Sequence, residues 1–468
     1  MPPSHVTQPA VTKQIAVLEE QVGVSLFARE RRRLVGLTSA GACGDTVRNI
    51  INCPVSGVDS NELFDATPLI RRVNEFFVGN RDFSNLPRKF KIAITGCRLR
   101  CVYPEINDIG LFAVEEQGKI RFRARVGGGL STTPRFSKDL GVLIEPDEVV
   151  PFCAAVAAVF RDEGNRNNRK KARLKFLIEA WEVPRFRDAV EERLGSKLTR
   201  SLEPQATPIL DRDRTHLGIH SQKGDSLNYA GIAIPGGRTA GPELRLLADL
   251  AQQHGLGRLR TTNSQNIVLL DIPDQNVPRL KSDLTSGGFD YEPSWARRGL
   301  IACTGVQFCK LAIAETKNRA RELDEYLTEN VDLEDRPRIS VTGCPNACGQ
   351  HHICDVGLEG SLTTIDGVKR ETFQVFLGGG VGMHESFGRR VGVRLPSEHL
   401  AESIARLFSR YKEMSVRGET FQEFCLRYSD GQLADFLLGV ETEEHIGPLE
   451  QTARAVQASN AHSVHPLE

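Results

Sequence analysis

Two stretches of this chain repeat one pattern of apolar and polar positions. Ile92 onward reads I-A-I-T-G-C-R-L-R-C-V-Y-P-E-I-N-D-I-G-L, and Ile339 onward reads I-S-V-T-G-C-P-N-A-C-G-Q-H-H-I-C-D-V-G-L. Each predicts a strand, a T-G-C-x-x-x-C turn, and a second strand ending in Gly-Leu. The segments A-C-G-D-T-V-R-N-I from Ala42 and A-C-T-G-V-Q-F-C from Ala302 each precede a copy. Duplication into two half-molecules explains this pattern. Between the halves, Tyr229–Ile234 predicts a strand, Pro242–His254 an amphipathic helix and Leu259–Ile272 further strand, with Gly236-Gly237 as a turn. Together they predict a β-α-β module of about 60 residues. Residues 165–171 are basic and polar and predict a surface loop, and the tail after Pro448 is polar and expected to fray.

Length and composition narrow the class. At 468 residues the chain has room for two or three domains. Lys plus Arg and Asp plus Glu balance at 60 each, so no global field draws nucleic acid or membrane. The longest apolar run, around residues 152–160, is too short to span a bilayer, and no basic-then-apolar leader opens the chain. A cytoplasmic protein is the expectation. Eleven cysteines, an odd number at irregular spacing, do not suit a disulfide framework and point toward metal ligation. Cys43, Cys53, Cys97, Cys101, Cys153, Cys354 and Cys425 are read as small packing residues.

The chemistry gathers in C-x5-C (Cys303, Cys309) followed by C-x3-C (Cys344, Cys348). Four thiolates from two loops can hold the corners of one [4Fe–4S] cube. Gly343 and Gly349 allow the tight turns, and Pro345 stiffens the loop between. A zinc reading would draw on Cys344, Cys348, His351, His352 and Cys354. The C-x5-C spacing fits zinc poorly, and adjacent histidines on a strand would face opposite ways.

The runs C-T-G-V-Q-F-C-K-L-A-I-A-E-T-K and V-T-G-C-P-N-A-C-G-Q-H-H-I resemble the siroheme-dependent sulfite and nitrite reductases, over residues 42–440. The resemblance implies an α+β fold with duplicated reductase halves at 42–205 and 295–445 and a ferredoxin-like half-domain at 215–275. It implies siroheme and a [4Fe–4S] cluster held by Cys303, Cys309, Cys344 and Cys348, with Cys348 also bridging to the siroheme iron. A-C-G-D-T-V-R-N-I is similar to the segment giving an arginine to the anion cavity, here Arg48, and L-P-R-K-F-K to the one giving two lysines, here Lys89 and Lys91. A small oxyanion needs such cations and proton donors, and lysines at i and i+2 of a strand share one face. Siroheme's many carboxylates also need partners. Arg98, Arg100, Arg135 and Lys310 are candidates, of which Arg135 and Lys310 are singled out.

By this resemblance the activity is six-electron reduction of sulfite to sulfide, or alternatively of nitrite to ammonia, with Lys91 tilting the reading toward sulfite. Electrons are expected from ferredoxin or a flavoprotein, to a chain acting as a monomer. A precorrin-3B synthase-like enzyme shares the cysteine pattern. Residues 1–41 are similar to part of the helix-turn-helix of LysR-type regulators, an N-terminal helical fragment where the reductases normally begin with another β-α-β module. The helices that should present the recognition helix are absent, so DNA binding is not expected. An inactive or regulatory fusion is the remaining alternative.

Overall fold

The computed structural model describes residues 27–30, 33–36, 44–48, 50–201, 214–224, 226–382 and 384–440. The chain divides into two compact units, residues 1–301 with 381–385, and residues 302–380 with 386–468. Most of the regulator-like segment, including the expected helices, lies outside the described residues. Its described part is an antiparallel hairpin of β1 (Phe27–Glu30) and β2 (Arg33–Gly36).

The first half that follows contains α1 (Thr67–Phe77), β3 (Ile92–Thr95), β4 (Ile109–Glu116), β5 (Lys119–Val126), β6 (Lys138–Ile144), α2 (Val149–Glu163), α3 (Leu174–Leu194) and β7 (Thr199–Arg200). Its sheet runs β3-β4-β5-β6-β7. Only the β3/β4 pair is parallel. Parallel neighbours cannot be joined by a hairpin. The connection between them therefore loops out, and it carries Cys97 and Cys101. Leu69, Val73 and Phe77 recur at four-residue steps and give α1 its buried stripe. The long apolar run is α2, whose Phe152, Cys153, Val156 and Phe160 are fully buried. A kink divides α3 at Glu182, two residues before Pro184, where the proline cannot donate into the helical ladder.

The half-domain comprises β8 (Gly218–Ser221), β9 (Leu227–Ile232), α4 (Gly241–His254), β10 (Leu259–Thr261), β11 (Ile267–Pro273) and α5 (Val277–Ser286). It is an antiparallel sheet in the order β10-β11-β9-β8, not a plain β-α-β unit. The stretch 259–272 turns back on itself at Thr262–Asn266, where Gln265 takes a positive φ of 65°. Ala230, Ile232, Leu247, Leu250, Leu269 and Leu280 form its core.

A short helix, α6 (Trp295–Gly299), precedes the second half. There follow β12 (Leu300–Ala302), α7 (Lys317–Asn330), β13 (Ile339–Thr342), β14 (Val356–Ile365), β15 (Val368–Leu377), β16 (Arg389–Pro396), α8 (Leu400–Met414), α9 (Phe421–Arg427) and α10 (Asp430–Leu438). The sheet order is β12-β13-β14-β15-β16, with β13/β14 parallel. The duplication extends to irregularities. Register shifts fall between Arg123 and Arg125 in β5 and between Gln374 and Phe376 in β15, the same place in each copy. Among the described residues, no helix is long and apolar enough to cross a membrane.

Candidate metal centres and anion-facing cations

The glycine of each T-G-C turn is fixed by close approach. A Cβ on Gly96 would lie 1.8 Å from the Phe64 carbonyl oxygen, and one on Gly343 2.8 Å from that of Ala314. In the second half this turn follows β13 and carries Cys344 and Cys348. Cys303 and Cys309 sit on the loop after β12. The Cys303 N–H donates to Val341 O at 2.9 Å, and its sulfur accepts the Gly343 N–H at 3.1 Å. Such N–H···S contacts tune metal-bound thiolates.

Exposure sets three of these four cysteines apart from the rest, while Cys344 is buried like the others. Cys303 and Cys309 are half-buried and Cys348 is exposed, whereas Cys53, Cys97, Cys101, Cys153, Cys354 and Cys425 are all buried. Free cysteine that merely packs is normally buried. The Cys309 loop also exposes apolar side chains, with Phe308 at 67% and Leu311 at 70%. Soft thiolates beside uncovered apolar surface fit an iron–sulfur cluster and a tetrapyrrole. Lys310 is exposed next to Cys309.

The alternative zinc set is not assembled. His351 and His352 lie in a 3-10 turn and not on a strand, with ring centroids 4.0 Å apart. His351 Nε2 is 3.1 Å from Glu359, His352 packs on Phe376, and burial pushes the Cys354 thiol up to about 11.

In the first half, Lys89 and Lys91 precede β3 and are not inside a strand. Lys91 N–H donates to the buried Asp108 carboxylate at 2.8 Å, so regular pairing begins only at Ile92. Asp108 is held in turn by Arg173 at 2.7 Å. Arg48 belongs to the neighbouring segment. Val47 bridges Phe90 in parallel, and the Arg48 N–H donates to Phe90 O at 2.8 Å. Val47 and Phe90 are buried. Alternation therefore turns Arg48, Lys89 and Lys91 to the opposite face. The Arg48 guanidinium caps the Gly44 carbonyl at 2.7 Å.

Of the other basic candidates, Arg135 pairs with Glu179 at 3.0 Å and Arg98 is exposed. Arg100 lies over the Phe112 ring, and burial lowers its pKa to about 10.

One further group was not singled out from sequence. Cys53, Cys97, Cys101 and His216 are all buried, and their ligand atoms lie within 4.8 Å of one another. Among the described residues this is the one group of three or more Cys, His, Asp or Glu side chains so gathered. Hydrogen bonds from the Cys101 and Cys53 thiols hold the Cys97 sulfur well below the ordinary thiol range. The repeated C-x3-C spacing was the available signal. Backbone pairing also corrects the apparent match of Cys43 with Cys303. Ile51 bridges Ala93 of β3, and the Ile94 N–H donates to Ile51 O, which makes Cys53 the counterpart of Cys303. Cys43 lies outside the described residues.

Comparison with known proteins agrees with this architecture. The family model described as nitrite and sulphite reductase 4Fe-4S domain matches residues 43–198 and 296–423, and the nitrite/sulfite reductase ferredoxin-like half domain matches residues 220–287. The bacterial regulatory helix-turn-helix protein, lysR family, matches residues 4–42. Ferredoxin–nitrite reductase of Synechococcus elongatus is 38% identical, over 81% of this chain and 74% of its own length. Sulfite reductase [ferredoxin] 2 of Mycolicibacterium paratuberculosis is 38% identical, over 86% and 73%. The solved structure of Mycobacterium tuberculosis NirA protein superposes with a TM-score of 0.80 at 36% identity, covering 84% of this chain and 72% of that one. The cofactors of such reductases, siroheme and a [4Fe–4S] cluster, are those that Cys303, Cys309, Cys344 and Cys348 fit. The chain is thus an oxidoreductase of the nitrite and sulphite reductase family.

Proposed function

We infer that the chain reduces sulfite to sulfide, taking electrons singly from reduced ferredoxin. The observation that carries this reading is the shared face of Arg48, Lys89 and Lys91 on two paired segments. When bound, the siroheme and cluster supply a ligand site for the anion and a store of electrons beside it. Three fixed cations lower the cost of holding a dianion, and the two ammonium groups can donate protons as oxygen leaves as water. Six electrons and seven protons convert one sulfite into hydrosulfide and three waters, so proton supply matters at every reductive step. Asp108 acts at one remove, anchoring the Lys91 backbone.

Nitrite is the second reading, because the similar curated proteins are named for both anions. Steady-state assays with reduced ferredoxin and each anion decide between them. A higher kcat/KM for sulfite supports the first reading, and a higher value for nitrite replaces it. Arg135 and Lys310 stay in the proposal as siroheme carboxylate partners. We place the enzyme in the cytoplasm as a monomer. Binding of DNA by the regulator-like segment is no part of this reading, and a gel shift at low salt tests that.

A further inference from the structure

We propose that the first half holds a structural zinc ion bound by Cys53, Cys97, Cys101 and His216. Three sulfurs and one imidazole nitrogen make a complete tetrahedral donor set of the kind structural zinc takes. The spacing suits a single ion. With zinc–ligand bonds of their usual length, a tetrahedron has S···N edges of about 3.6 Å and S···S edges of about 3.8 Å. The Cys53 sulfur stands 3.6 Å from His216 Nε2, and all four ligand atoms lie within 4.8 Å. The thiolates of a [4Fe–4S] cube bind four separate irons and must stand further apart.

The surroundings close the site. All four ligands are at most 5% exposed, which leaves no open position for substrate or water. Val55, Val58, Ala93, Val102, Val268 and Leu270 pack around the cysteines. A zinc ion with three thiolates carries one net negative charge. Arg260 is placed to offset it, donating to the Pro54 and Ser56 carbonyls at 2.9 and 2.7 Å, within three residues of Cys53.

The backbone explains how such a site arises beside a cluster of another kind. Cys53, Cys97 and Cys101 occupy the positions that Cys303, Cys344 and Cys348 occupy in the second half. The counterpart of Cys309 is Asp59, so the set lacks its fourth sulfur. His216, just before β8, supplies the missing donor, with φ at 59° in the left-handed region. The ion would therefore tie the half-domain to both loops of the first half. This proposal does not depend on which anion the enzyme reduces.

The test is metal analysis of the full-length protein, purified without air from a siroheme-producing host grown with ample zinc. The expected result is about one zinc per chain in addition to the iron of the cluster and haem. Cobalt substituted at the site should show thiolate-to-metal charge-transfer bands and the d–d pattern of a tetrahedral centre. His216→Ala should lower zinc content at least about tenfold, whereas His216→Cys should retain it by completing a four-thiolate set. Cys344→Ser should remove cluster iron and leave zinc unchanged. Wild-type protein with less than about a tenth of a zinc per chain overturns the proposal. So does loss of zinc in Cys344→Ser, which would place the ion at the other cysteines. If His216→Ala does not fold, the wild-type stoichiometry and the cobalt spectrum still decide.

Discussion

The two T-G-C-x-x-x-C turns start from one backbone plan and finish as opposite environments. After β3, Cys97 and Cys101 are buried against Val102, Val268 and Leu270 and meet a histidine from another domain. After β13, Cys348 is exposed and Phe308 and Leu311 stand uncovered near its partner loop. The strands, the glycine contacts and the parallel crossover are common to both. What differs is what fills the space around the sulfurs, and that decides whether a cysteine set is closed around one ion or open to a larger cofactor. The anchoring carboxylates show a similar divergence. Asp108 accepts the Lys91 N–H and Asp355 the Arg338 N–H, each at 2.8 Å, yet the partner arginine is 2.7 Å away in the first case and 3.9 Å in the second.

The strongest way to break this contrast is to remove a sulfur from the open set. Cys344→Ser should abolish the siroheme and cluster absorption and take sulfite turnover below detection. The fold of the first half should survive, as read by an intact melting transition. Joint loss of both would show that the two halves are not independent. Asp108→Asn should rank next. It removes the charge of the buried partner from the largely buried Arg173 pair and should cost about 3–5 kcal/mol in denaturant unfolding. Asp355→Asn, with its looser and more exposed pair, should cost about 1–3 kcal/mol. Equal losses would erase the asymmetry.

Replacing Lys91 or Lys89 with methionine should lower kcat/KM for sulfite by about 10²- to 10³-fold with the visible spectrum unchanged. The equivalent change at Arg336 or Arg338 in the second half should leave kcat/KM within a few-fold. The smallest effect is expected at Arg135, whose half-exposed pair with Glu179 is worth about 0–1 kcal/mol. Arg135→Gln should leave the melting temperature nearly unchanged, so any fall in siroheme content in that variant would report on a cofactor contact.

Much of the second half was legible because its candidate ligands lie in two short motifs whose spacing alone carries meaning. The common side of Lys89 and Lys91 was expected from their i, i+2 spacing, whereas the place of Arg48 beside them rests on the Val47–Phe90 bridge and could not be read from spacing. Nor was the start of regular pairing legible, since a side-chain carboxylate takes the Lys91 N–H where a ladder partner was expected. In the half-domain, β8 and α5 went unread. Gly218–Ser221 is too short to show a period, and Val277–Ser286 buries only Leu280 and Leu284. The first-half cysteine set escaped for a different reason. Cys97 and Cys101 appear in the repeat, but Cys53 is located only by backbone pairing and His216 only by tertiary folding.

That distance along the chain also sets a clock. Cys53 and His216 are 163 residues apart, so at ribosomal speeds of roughly 5–20 residues per second the histidine emerges on the order of ten seconds or more after the first cysteine. From the emergence of Cys101 onward the nascent first half presents all three thiols with no His216 imidazole to meet them. The newborn chain is therefore most vulnerable to oxidants between the synthesis of Cys101 and that of His216, and a chaperone or metal donor acting on it has that window in which to work.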